Sequence, residues 1–192
     1  MLRMTASDTQ SWIASTDPLP VVPLDDPVVE ALGHDADSEY AETYWLPVIG
    51  PTALWALRRL TRWLDDAPEG YPLAIAPFAR ELGLGDGAGR TSPIVRTLAR
   101  LVCFGLAEIR GDRLMVRRRV PPLARRHLQR LPAHLVAQHQ MVMEAAAPTT
   151  TAQRANVAAI QHAKVAGGRT GTVGEADPSA RRATPFDAED AS

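Results

Sequence analysis

Between Gly50 and Val120 the apolar positions fall into short patterns of differing period, each bounded by Gly or Pro. Ala53, Leu57, Leu60 and Leu64 recur at i, i+4, i+7 and i+11, the stripe of an amphipathic helix, and Arg58, Arg59 and Arg62 fall opposite it. Gly50 and Pro51 open that helix, and Pro68 and Gly70 end it. Tyr71 to Ala76 is short, apolar and β-capable, with Pro72 restricting it to the edge or start of a sheet. Pro77 to Leu82 predicts a helix with Pro in its first turn and Gly83 as its stop, followed by the glycine-rich loop GLGDGAGRT. Ser92 to Phe104 gives the clearest helix. Ser92 suits the N-cap, Pro93 the first turn and Gly105 the stop. At ~100° per residue, Ile94, Val95, Leu98, Leu101 and Val102 share one arc, with Arg96 and Arg100 about opposite. Leu106 to Arg110, the turn Gly111-Asp112 and Arg113 to Val120 predict a β-hairpin with Leu114 and Val116 inward and Arg117 and Arg119 on the solvent side. After Pro121 and Pro122, Leu123 to Leu131 and Ala133 to Ala147 look helical, separated by Pro132.

The flanks read differently. Thr5 to Glu42 is acidic and broken by Pro18, Pro20, Pro23 and Pro27, with Val21, Val22, Leu24, Val28 and Val29 too scattered to suggest a core. Pro148 to Ser192 is dominated by small and polar residues, with Ala152 to Ala166 able at most to form a transient helix. The expected organisation is an acidic disordered arm (1–43), one folded domain (44–147) and a disordered tail (148–192).

Charge sharpens that division. The 192-residue chain has a net charge of −1, but the total hides opposed blocks. Met1 to Tyr44 carries one Arg against nine acids, and Trp45 to Gln140 carries 15 Arg against seven. A basic core suggests a polyanionic partner, and a tethered acidic arm suggests masking of that surface. The basic residues are 20 Arg and one Lys, as in proteins of GC-rich bacteria and their phages.

Several classes are excluded. The single cysteine, Cys103, supports neither an internal disulfide nor a thiolate metal site. No stretch approaches ~18 apolar residues and the start lacks a signal peptide's apolar run, so a cytoplasmic protein without membrane contact is expected. Neither GxSxG, nor a P-loop, nor a dinucleotide fingerprint is present, and GLGDGAG follows a helix rather than a strand. His127, His134 and His139 lack metal-ligand spacing and read as surface residues. No enzyme, catalytic residue, metal or cofactor is expected, and nothing in the pattern names a small-molecule effector.

The order helix, strand, helix, helix, hairpin, together with AIAPFARELGLG and TSPIVRTLARLVCFGLAEIRGDRLMVRRR, resembles the bacterial winged helix-turn-helix DNA-binding domains over about Leu54 to Val120. RTLARLVCFGLAEI looks like the passage from recognition helix through Gly into the first wing strand. The loop Gly83 to Thr91 is longer and richer in Gly than that family's usual turn. The resemblance implies a mainly α fold with a small antiparallel β-wing, extended by C-terminal helices. It implies sequence-specific binding of double-stranded DNA by a small bacterial or phage transcriptional regulator, with helix 92–104 in the major groove and hairpin 106–120 on the backbone.

Residue chemistry agrees with such a partner, because Arg reads guanine with two hydrogen bonds and pairs with phosphates. Arg96 and Arg100, with Thr97 beside them, are the base-reading candidates on the helix. Arg90, Thr91 and Ser92 stand at its positive end, where a phosphate would sit. Arg110, Arg113, Arg117 and Arg119 are the candidate backbone contacts of the hairpin.

The rival reading is a winged helix serving as a protein-interaction adaptor in a replication, partition or phage assembly. Tyr44, Trp45 and Trp55, outside the core stripe, are its candidate contacts. Leu135, Val142 and Met143, on the broad stripe of the last helix, are candidate contacts for a second copy of the chain.

Overall fold

The structure, a computed structural model, describes residues 4–145. The segment expected to be a mobile arm is folded. Thr5 caps helix α1 (Ala6–Ser15) through a reciprocal pair with Asp8, the Thr5 side chain accepting from the Asp8 amide and Asp8 accepting from the Thr5 amide. Strand β1 (Leu19–Pro23) follows, then α2 (Pro27–Leu32), capped by Asp26, and a two-residue strand β2 (His34–Asp35). A π-turn (Ala41–Trp45) runs into α3 (Leu46–Ile49). Ile13, Leu19 and Val21 are fully buried.

From residue 51 the elements follow in the expected order. Helix α4 (Pro51–Asp66) buries Ala53, Leu57, Leu60 and Leu64, strand β3 (Tyr71–Leu73) comes next, then α5 (Ile75–Glu81) and α6 (Pro93–Cys103). The hairpin is β4 (Ala107–Arg110) and β5 (Arg113–Val116), turning at Gly111, whose φ of 60° suits glycine. The expected second strand is interrupted: β5 ends at Val116, and Arg119–Val120 forms a separate strand β6, paired with β2. Helix α7 is confined to Arg125–Leu128, and α8 runs Ala133–Ala145. The expected disordered tail (148–192) and transient helix (152–166) lie outside the described residues.

The architecture is mainly helical with a small four-stranded sheet, ordered β3-β1-β5-β4. β1 lies between two partners, antiparallel to β3 (Leu19 opposite Leu73) and parallel to β5 (Val21 opposite Leu114). Its prolines are compatible with that position. The Leu24 amide donates to the Val116 carbonyl, so by alternation the nitrogen of Pro20 also faces β5, one residue ahead of the first paired position. The nitrogen of Pro23 faces the β3 side, beyond the end of β3. Gly70, at φ 103°, brings the preceding turn so close that a Cβ would stand 2.5 Å from the Val21 carbonyl oxygen.

One core joins both parts of the chain. Ile13, Leu19 and Val21 pack in the same cluster as Leu57, Leu60, Phe78, Ile94, Leu98 and Leu114. Its acidic segment is fastened by ion pairs to arginines of the later chain, at Asp26–Arg117, Asp35–Arg119 and Glu42–Arg58. Three of the nine acids are thus paired within the fold, and a tethered masking arm does not exist among the described residues. No helix of those residues is long and apolar enough to cross a membrane.

Candidate nucleic-acid interface

Helix α6 packs against α1, α4, α5 and β4, which bury most of its circumference. Ile94, Val95, Thr97, Leu98, Ala99 and Leu101 are all buried. Thr97, expected beside the base-reading arginines, is thus turned into the core, and its hydroxyl does not reach a ligand on the open side. The open side is narrow. Arg96, Arg100 and Cys103 are exposed and fall within about 60° of one another around the axis. The guanidinium of Arg100 lies 5.6 Å from the Phe104 ring centre, and its Nη2 donates to the Val48 carbonyl at 3.4 Å.

At the start of α6, Ser92 accepts from the Val95 amide and serves as the cap, so that bond occupies the oxygen expected to face phosphate. Thr91 and Arg90 are exposed, with Arg90 donating to the Ser7 hydroxyl at the start of α1.

The hairpin differs from expectation. Arg110 makes a two-pronged contact with Glu108, at 3.0 and 2.9 Å, and Arg113 stands 3.6 Å from Asp112. Arg117 and Arg119 are half-buried rather than solvent-facing, because the chain after β5 turns to meet the N-terminal segment through β6. Arg117 donates to Asp26 and to the Gly105 carbonyl, both at 2.8 Å. Arg119 donates to the Glu30 carbonyl at 2.8 Å and lies 3.2 Å from Asp35. Each of the four arginines therefore has an intramolecular carboxylate, and the solvent-side placement expected of Arg117 and Arg119 is overturned by their packing against the acidic segment.

Two interaction candidates are corrected. Tyr44 and Trp45 are core residues, each 2% exposed, and the Trp45 indole donates to the Pro121 carbonyl. Trp55, by contrast, is 57% exposed, with Arg58 stacked over its ring at 5.3 Å. Leu135, Val142 and Met143 are half-buried against the core, while Met141 is the exposed large hydrophobic residue of α8.

Sequence patterning missed two features. His127 and His139, expected on the surface, are buried, and only His134 is open. The Tyr40 hydroxyl accepts from the Leu123 amide and forms a buried 2.7 Å hydrogen bond with His139 Nε2, whose direction is set by the His139 tautomer. Burial pushes the Tyr40 phenol up to about 12 and holds both histidines below their ordinary 6.5. The second feature is a pair of exposed arginines in and just after α7, Arg126 and Arg130, that have no ion pair among the described residues. No acid occurs between Asp112 and Glu144, the signal that could have drawn attention to them.

No protein-family model, no curated protein and no solved structure matches the chain. Function therefore rests on the geometry alone. Among the described residues no group of His, Cys, Asp and Glu is arranged to hold a metal ion.

Proposed function

We propose that the chain is a sequence-specific DNA-binding protein of winged helix-turn-helix type, a small bacterial or phage transcriptional regulator that inserts α6 into the major groove. The observation carrying this reading is that Arg96 and Arg100 project from the one open arc of a helix otherwise packed into the core, with no carboxylate paired to either among the described residues. A helix held this way presents a narrow, rigid, cationic ridge, the shape and charge a B-DNA groove accepts. Thr91 and the first-turn amides lie at its positive end. The hairpin contributes Arg110 and Arg113 at most.

The test is binding to mixed genomic fragments by mobility shift from about 50 to 300 mM salt, comparing wild type with Arg96→Glu/Arg100→Glu. Wild type is expected to retain a few fragments with a steep salt slope, and the double variant to lose them. Equal retention by the two proteins would remove α6 as the reading element.

The rival reading, an interaction adaptor, is favoured by one observation, the exposed Trp55 on α4. Capture of a partner that survives Arg96→Glu/Arg100→Glu but is lost in Trp55→Ala would favour it.

A further inference from the structure

We propose that Arg126 and Arg130 form a phosphate-binding surface continuous with the open arc of α6, so that the backbone clamp beside the reading helix is the α7 segment and not the hairpin. This rests on the DNA reading above and refines which residues hold the duplex.

Four observations carry it. The first is continuity: the Arg100 guanidinium stacks on Phe104, the Phe104 ring lies 5.2 Å from the His127 ring, and His127 Nε2 accepts from Arg126 Nε at 3.1 Å. The open end of α6 thus leads, ring by ring, to α7. The second is charge: Arg126 and Arg130 are both exposed, neither is ion-paired among the described residues, and both act on His127 to disfavour its proton. Their fields therefore overlap at His127, on which no carboxylate of the described residues acts to offset them. The third is the contrast with Arg110, Arg113, Arg117 and Arg119, which all have carboxylate partners already. A phosphate would have to displace those partners, whereas at α7 it meets exposed guanidinium groups with no carboxylate partner among the described residues. The fourth is support from below. His127 is buried between Phe104 and Trp45. The short helix therefore stands on a rigid aromatic base rather than at the end of a free loop. Arg125 belongs to the other side of α7, beside Val136 and Met143 of α8.

The experiment uses the full chain and a short mixed-sequence DNA duplex, because phosphate contacts do not depend on base order. Each lost contact should lower the slope of log affinity against log salt by about 0.9, so Arg126→Ala/Arg130→Ala should flatten it by nearly two and weaken binding at least about tenfold at low salt. Arg126→Lys/Arg130→Lys, which keeps the charges, should recover most of the slope, separating phosphate contact from support of His127. Arg59→Ala/Arg62→Ala removes equal charge from exposed positions of α4, outside the α6–α7 surface, and should leave the slope unchanged. A wild-type slope in the α7 alanine pair, or an equal flattening by the α4 pair, would overturn the proposal while leaving DNA binding intact. No binding by wild type at the lowest salt would overturn both.

Discussion

Arg117 and Asp26 are 91 residues apart in the chain and 2.8 Å apart in space, the guanidinium donating through Nη1 to the carboxylate. The pair fastens the start of α2 to the end of the hairpin, and Asp26 also accepts from the Val28 amide as the α2 cap. Both side chains are largely shielded, at 8% and 18% exposure. Removing one partner of such a pair leaves a shielded charge uncompensated, so Asp26→Ala should cost about 3 kcal/mol. Urea denaturation checks this, and a loss under about 1 kcal/mol would place the pair with ordinary surface contacts.

Truncating the first 25 residues should unfold the protein rather than free a basic surface. The truncation removes a strand with a neighbour on each side and the buried Ile13, Leu19 and Val21. As a milder change, Leu19→Ala should cost about 2–4 kcal/mol through the cavity it leaves. A truncated chain that keeps cooperative melting would contradict the described sheet.

Acid should weaken the fold before its carboxylates titrate. Burial holds His34, His127 and His139 below their ordinary 6.5, and arginines nearby push His34 and His127 further down. Above 6.5 the folded and unfolded chains are equally neutral at these sites. As the pH falls below it, the unfolded chain takes up protons that the folded chain refuses, and stability declines until the folded values are reached. The urea midpoint should accordingly be lower at about pH 5.5 than at about 7.5, with a smaller difference in His139→Gln. Identical midpoints for wild type would refute the assignment.

The two tryptophans that sequence reading grouped together should behave oppositely. Trp45→Ala opens a cavity and strands the Pro121 carbonyl, for an expected loss of about 3–5 kcal/mol. Trp55→Ala changes an exposed site and should stay within about 0.5 kcal/mol. Thermal melts of the two variants compare them directly.

What the sequence revealed and what it hid follow from range. The α4 stripe, the Ser92 cap, the Gly105 stop and the Gly111 turn are local signals, and each element they mark is present. β1 was hidden because its prolines argue against an internal strand, and only the registers of β3 and β5 reveal that neither missing N–H opposes a paired residue. The arginines at 117 and 119 were misjudged for a related reason. Alternation along a strand says which face a side chain takes, but not that a distant acidic segment will cover that face. On α6, a single stripe predicted one buried face, whereas α1 also packs on the helix and the buried surface extends to Thr97. Tyr44 and Trp45 lie in a π-turn, where the helical period that would have assigned them inward is broken.

The middle place of β1 also bears on the order in which the protein is made. The strand leaves the ribosome before the other strands of its sheet, and its parallel partner β5 is almost a hundred residues behind it. Until residue 116 has emerged, β1 has only β3 to pair with, and the buried faces of Ile13 and Val21 lack much of their packing. Synthesis therefore carries an incomplete sheet across that whole interval, and the sheet closes only when the hairpin arrives.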